Sequence, residues 1–309
     1  MNIDDSRHLQ LDRDSRGIRY YRNAVERHWD PFDVSLEDDV ANLQTFLQDV
    51  DEPVDYLDGL RMSLARFGAG EQAVTEDLVP LALALEGIED QMFVTTQLYE
   101  EAKHTDFFDR YWREVIHETE DALGFERSSP TAARWFNDEY HELFERNERA
   151  MDALLADDSP ETFARAYAHY HLVIEGILAQ TGYYGLQQSY SADRHPELPY
   201  LPGLYEGFTA IRQDEGRHVG FGMTRLKTLV SDGAVDPQLL EETVAELMPL
   251  VTGIAANEDD PYLDDVGVST EELYEFAAEK HVQRMQQITD AAQEVPDLET
   301  LTRLDGVDG

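Results

Sequence analysis

Four glutamates and two histidines, set in stretches of helical periodicity, constrain this chain more than any other feature. They are Glu71 in GAGEQAVTEDL, Glu101 and His104 in YEEAKHTDFF, Glu175 in HYHLVIEGIL, and Glu215 and His218 in RQDEGRHVGF. In order they read Glu, Glu-x-x-His, Glu, Glu-x-x-His. A helix turns 100° per residue, so a Glu and a His three positions apart project from one face on adjacent turns. Together they can offer a carboxylate oxygen and an imidazole nitrogen to one metal ion. Two helices giving one Glu each, and two giving a Glu-x-x-His pair, make the side-chain set of a four-helix bundle that holds two metal ions in its core.

Glu-x-x-His occurs three times in this glutamate-rich chain, at Glu101, Glu114 and Glu215. Glu114 and His117 lie thirteen residues beyond the Glu101 pair, about 220° further round the same helix, so the two pairs cannot face one core. The Glu114 pair reads as a solvated face. The other two gain weight from Glu71 and Glu175, each set among apolar or small residues where a lone charge is costly to bury.

The chain has 309 residues, 42% of them hydrophobic, with no composition shift to mark a boundary. It reads as a single domain over 1–309, with 1–15 and 293–309 as loose ends. The formal net charge is -41, from 65 acidic and 24 basic residues, and the lysines are Lys103, Lys227 and Lys280 alone. Acid spread over nearly every helix, with Arg in place of Lys, points to a protein adapted to high salt, where counterions screen the self-repulsion. A nucleic-acid binder needs a basic footprint that is missing here. With no cysteine, disulfides and thiolate metal sites are excluded. Carboxylate with imidazole suits iron or manganese rather than copper or a structural zinc. The N-terminus lacks the apolar core of a signal peptide, and no window approaches a membrane span. These features predict a soluble, cytoplasmic protein.

Helical periodicity runs over 16–28, 36–49, 53–85, 88–119, 130–156, 160–190, 203–231, 236–256 and 269–292, and strand signals are nearly absent. Pro130 and Ser159-Pro160-Glu161 read as helix openings. Gly68 and Gly70 thin the third helix where a neighbour approaches. The fold class is all-α, a ferritin-like four-helix bundle core with additional helices. Four carboxylates neutralise two divalent ions, so the centre can be buried, and its expected chemistry is activation of dioxygen. Asp214, just before Glu215, is a candidate acceptor for a ligating imidazole N–H. His171, four residues before Glu175, leaves two readings open, a third nitrogen donor or a core histidine. His141, His169 and His281 read as surface or ordinary packing.

These residues resemble a known family: the ligand-binding oxidases related to the ribonucleotide reductase small subunit. The resemblance spans roughly residues 15–290. GEQAVTEDL at 70–78 is similar to the family's first-ligand helix, and TTQLYEEAKHTDFF at 95–108 to its second. The resemblance implies a mixed manganese and iron centre, with di-iron as the variant, and a bound long-chain fatty acid. Glu71, Glu101 and His104 would hold manganese; Glu101, Glu175, Glu215 and His218 would hold iron, with Glu101 bridging. It also implies an oxidative ether cross-link between Val74 and Tyr170, which lies five residues before Glu175. A two-electron oxidation in lipid metabolism and a homodimer through the long helices follow as expectations.

Two other functions compete. A radical-generating reductase subunit belongs to the same kin, but Phe108 stands four residues after His104 where many such subunits keep a tyrosine. The segment after Phe276 also lacks the aromatic residue with which such subunits commonly dock their large partner. Metal storage or a bare helical scaffold is the third reading, and the chain is long for a shell-forming subunit.

Overall fold

In a computed structural model, residues 10–192, 194–256 and 267–303 are described. The outermost parts of the expected loose ends, 1–9 and 304–309, lie outside them. The regular structure among the described residues is helical, with no strand. In order they form α1 (Arg16–Glu26), α2 (Glu37–Asp49), α3 (Pro53–Ala84) and α4 (Ile88–Tyr111), which runs through a π turn at Trp112–Ile116 into α5 (His117–Leu123). Then come α6 (Asp138–Ala153), α7 (Pro160–Tyr167), a π-helical segment (Ala168–Ala179) and α8 (Gln180–Ser189). The chain continues with α9 (Pro202–Ser231), α10 (Pro237–Ala256), α11 (Thr270–Thr289) and α12 (Leu298–Leu301).

Four long rods make the core: α3, α4, the α7–π–α8 rod, and α9. The apolar interior divides into two clusters. One takes Leu57, Leu60 and Leu64 of α3, Phe107, Phe108 and Tyr111 of α4, Tyr183 of α8, and Leu204, Phe208 and Ile211 of α9. The other takes Val74, Leu78 and Leu81, Phe93 and Val94, Leu172 and Val173, and Val219, Met223 and Leu226. Chain order through the clusters makes α3 antiparallel to α4, and the π-containing rod antiparallel to α9. Glu71, Glu101, His104, Glu215 and His218 each fall between the two sets on their own helix, so burial of apolar surface on both sides fixes a polar layer across mid-bundle.

Close approach uses small residues. A Cβ on Gly207 would overlap the Phe107 ring, and one on Gly222 would overlap His171. Gly68 meets Phe108 of α4, where a Cβ would stand 3.3 Å from that residue's own Cβ, while the space at Gly70 is ordinary contact with Phe144 at 3.4 Å.

Several expected boundaries move. The helix expected from Pro130 begins only at Asp138, because Trp135 turns inward in a short 3₁₀ turn and Asn137 caps α6 by accepting from the Tyr140 N–H. Ser159 caps α7 through the Thr162 N–H, as Ser-Pro-Glu suggests. The rods expected at 88–119 and 160–190 are not uniform α-helix, since each contains π-helical backbone. The described part of the C-terminal stretch is packed rather than loose: Leu301 is buried, and Lys280 Nζ donates to the Arg303 carbonyl at 3.1 Å. Asp39, buried, accepts from the N–H groups of Gly203 and Leu204 at 2.7 and 2.8 Å and so caps the start of α9.

Among the described residues no helix is long and apolar enough to cross a membrane.

Candidate metal centre

The polar layer gathers six side chains. His104 Nδ1 lies 3.3 Å from Glu71 Oε2, 3.4 Å from Glu101 Oε2 and 3.5 Å from Glu215 Oε1. His218 Nδ1 lies 3.1 Å from Glu101 Oε1, 3.4 Å from Glu175 Oε1 and 3.5 Å from Glu215 Oε1. Two overlapping groups result, each with its ligand atoms within 4.8 Å of one another: Glu71, Glu101, His104 and Glu215; and Glu101, Glu175, Glu215 and His218. All six residues are buried. Glu101 and Glu215 belong to both groups, so two carboxylates, not one, are within reach of two ions.

The donor set fits a pair of cations. Glu175 Oε2, Glu215 Oε2 and His218 Nδ1 are buried without a hydrogen-bond partner, and an unsatisfied buried polar group costs on the order of 1–3 kcal/mol. Burial pushes Glu71 up to about 8, against the pull of His104. Burial, with Glu215 and Glu101 alongside, drives Glu175 well above the usual carboxylate range, and burial with Glu101 raises Glu215. Burial also opposes charge on Glu101, but His218 and His104 on either side outweigh it and hold that carboxyl well below its usual range. The metal-free cluster thus holds protons that a cation would displace, since ligands bind metals deprotonated.

Local backbone brings Tyr170 to the layer. In a regular α-helix Tyr170 and Glu175 would stand about 140° apart. Here both lie in the π segment, whose i→i+5 bonds bring residues five apart closer to one face. Tyr170 Oη donates to Glu101 Oε1 at 2.8 Å. Gln97 Nε2 reaches Glu175 Oε1 at 3.0 Å and Tyr170 Oη at 3.3 Å.

Each imidazole turns its other nitrogen outward to an acid from the opposite helix: His104 Nε2 to Asp214 Oδ2 at 3.1 Å, and His218 Nε2 to Glu100 Oε2 at 2.9 Å. Burial opposes charge on Asp214, but His104, Arg217 and Lys103 hold it well below the ordinary aspartate range. His171 is in neither group. It lies 3.3 Å from Gln97 Oε1, and burial keeps it neutral, so it packs as a core histidine.

A profile of the ribonucleotide reductase small chain family matches residues 13–293. The chain belongs to that family. Among solved structures, it is similar to a tyrosine-to-phenylalanine variant of an R2-like ligand-binding oxidase with aerobically reconstituted Mn/Fe cofactor: 28% identity, TM-score 0.73, covering 91% of this chain and 99% of that one. A valine-to-isoleucine variant with anaerobically reconstituted Mn/Fe cofactor gives 29%, 0.74, 91% and 99%. A glycine-to-leucine variant with a non-activated Mn/Mn cofactor gives 29%, 0.75, 92% and 99%.

In this small-chain protein a cavity of about 210 Å³ opens on the cluster. Glu71, Glu101, Glu175 and Glu215 line its inner end, and Val74, Phe67, Ile174, Leu178, Tyr183 and Leu186 line apolar wall. Val74 and Tyr170 are both buried. The Glu114 pair lies apart from all this, with Glu114 on Arg110 and His117 Nε2 donating to the Ser128 carbonyl at 3.1 Å.

The sequence reading missed Glu100, Gln97, Tyr183 and Trp29. For Glu100 a signal existed: Glu-Glu-Ala-Lys-His at 100–104 and Asp-Glu-Gly-Arg-His at 214–218 repeat one pattern, acid, Glu, spacer, cation, His. Trp29, whose Nε1 donates to Asp214 Oδ2 at 2.8 Å, carries no such mark.

Proposed function

We propose that this chain is a dioxygen-activating oxidase whose centre holds one manganese and one iron ion, with di-iron as the variant, and whose cavity takes a long-chain fatty acid or similar apolar molecule. The observation that carries the reading is the pair of overlapping carboxylate–histidine groups at the inner end of a largely apolar cavity. The Mn/Fe cofactors of the similar oxidases support the choice of metals. Glu71, Glu101 and His104 would hold manganese, and Glu101, Glu175, Glu215 and His218 would hold iron, with Glu101 common to both sets and Glu215 also in the first group. When bound, the pair supplies activation of dioxygen for a two-electron oxidation, placed in lipid metabolism.

The residues do the rest. Asp214 and Glu100 accept hydrogen bonds from the outward Nε2–H groups and leave each Nδ1 lone pair facing the cluster. The apolar wall keeps water away and gives an aliphatic chain a surface to bury. Tyr170, whose phenol donates to Glu101, forms an ether cross-link to Val74 in this reading: the phenol O–H and a valine C–H break, a C–O bond forms, and dioxygen takes up the two hydrogens. Phe108 supplies no phenol; its ring packs against Phe67 and Phe208, both with centroids at 5.6 Å. Exposed Val79 and Leu83 on α3 and Tyr99 on α4 support a homodimer through the long helices.

The test is aerobic loading with both metals, followed by elemental analysis and peptide mass spectrometry. We expect one manganese and one iron per chain, and a linked species containing Val74 and Tyr170, two hydrogens lighter than the separate peptides and missing in Tyr170→Phe. Separate, unmodified peptides would sink the cross-link, and metal-free protein would sink the centre.

A further inference from the structure

Behind the two imidazoles lies an ion network in which one side chain serves both. Arg217 is fully buried, and its Nη2 donates to Glu100 Oε1 and to Asp214 Oδ1. The remaining oxygen of each acid faces an imidazole: Glu100 Oε2 meets His218, and Asp214 Oδ2 meets His104. The arrangement is crossed, because Glu100 of α4 orients the histidine of α9 while Asp214 of α9 orients the histidine of α4. One guanidinium therefore locks two helices and two imidazoles together. Both carboxylates meet the one Nη2, while Nη1 donates to Asn23 Oδ1 at 3.3 Å and to the Gln213 carbonyl at 3.2 Å, so the planar group is fixed from both ends as a lysine's point charge would not be.

The two branches are unequally supported. Asp214 also receives Trp29 Nε1 at 2.8 Å and Lys103 Nζ at 2.8 Å. For Glu100 the described partners are Arg217 and His218 alone. Remove Arg217, and Asp214 keeps two donors while Glu100 is left as a buried anion with one imidazole beside it. Such a charge is expensive to leave unpaired, and the Glu100–His218 bond must rearrange to relieve it.

We propose that Arg217 is a positioning residue for both metal-facing imidazoles, acting through Glu100 and Asp214, and that the His218 half of the centre depends on it more than the His104 half. The inference rests on the reading of the six side chains as metal ligands. Loss of a partner that orients a ligating histidine typically weakens metal binding about 10–100-fold. Here that loss falls mainly on one ion. Lys103→Gln makes the opposite case, since it touches the Asp214 branch only, and Arg217 with Trp29 still hold that acid.

The experiment uses the full chain loaded aerobically with manganese and iron, titrated with a chelator and followed by elemental analysis. In Arg217→Gln the ion of the His218 group, iron by the assignment above, should be stripped at about 10–100-fold lower chelator than in wild type, with the other ion shifted less. Arg217→Lys should show a smaller shift confined to the same ion. Lys103→Gln should spare it. Equal resistance of both ions in Arg217→Gln overturns the proposal, and so does loss of both in parallel. Should Arg217→Gln fail to fold, Arg217→Lys decides by the same criterion, selective loss against none or parallel loss. A wild-type chain that holds no ion overturns the ligand reading and this inference with it, a result plainly distinct from two ions indifferent to Arg217.

Discussion

One helical rod carries two Glu-x-x-His pairs with opposite fates. Glu101 and His104 are buried, and both ring nitrogens of His104 face carboxylates from three other positions in the chain. Thirteen residues on, Glu114 is exposed with Arg110 3.0 Å away, and His117 is spent on a loop carbonyl. The motif supplies only adjacency. Chemistry comes from what the rest of the fold brings to that face: an exposed ion pair is worth roughly 0.2–1 kcal/mol, whereas removing one member of a buried charge pair costs about 3–5 kcal/mol.

The largest break of this comparison is Glu101→Ala. Glu101 is one of two carboxylates shared by both groups and alone of the two accepts from Tyr170, so its loss should take metal content from two ions per chain to none, while Glu114→Ala keeps two. Elemental analysis of the two variants side by side checks it, and full metal content in Glu101→Ala would refute the shared-ligand assignment.

Removal of metal comes next. A ligand that binds only the folded state adds about 4 kcal/mol at a thousandfold excess over its Kd, so a chelator should lower the melting temperature of wild type and of His117→Ala by several degrees alike. In Glu101→Ala the same chelator should do nothing. Coincident wild-type melts with and without chelator would show that the centre contributes nothing to stability.

Salt sharpens the contrast from the other side, because it acts on exposed charge and leaves the buried layer alone. With a net charge of -41, dilution from 1 M to 0.1 M lengthens the screening distance from about 3 Å to about 10 Å and restores repulsion over the acidic surface. The melting temperature should fall on dilution. A melt indifferent to salt would argue against adaptation to a saline environment.

The smallest effect concerns a histidine of a third kind. No carboxylate among the described residues pairs with His169; burial, with Arg146, Arg165 and Arg149 nearby, lowers it from 6.5 to about 4. The unfolded chain therefore takes up that proton first, so stability present above pH 6.5 is lost as pH falls from 6.5 towards 4. His169→Gln should flatten this limb of the stability profile in urea titrations, and an unchanged limb would assign the loss to other groups.

Much of this was readable in advance, for physical reasons. The four-rod core and the places of the six side chains follow from a three-residue spacing repeated on apolar helices. Tyr170's approach to Glu101 was harder, because Ala168–Ala179 is apolar almost all round and a π segment leaves no distinguishable period in such a run. Glu100 takes its role from His218, which is 118 residues away; no local pattern encodes a distance of that kind, although the acid before each central Glu hinted at it. The start of α6 moved because Trp135 found a buried place that its Pro130 neighbourhood did not announce.

The twelve-residue π segment also changes what counts as a conservative change. Its backbone carries surplus length relative to an α-helix of the same rise, so the spacing of Tyr170 to Glu175 is a matter of frame as well as of residue identity. Deleting a single residue between them, for example Leu172, would leave every ligand and the tyrosine in the protein. With the run tightened into an α-helix, the four positions that remain would span about 400° and the two residues would still share a face, whereas an inserted residue would add about 100° and turn the phenol away. The vulnerability of this centre therefore lies in insertions as much as in substitutions, at positions that touch no metal.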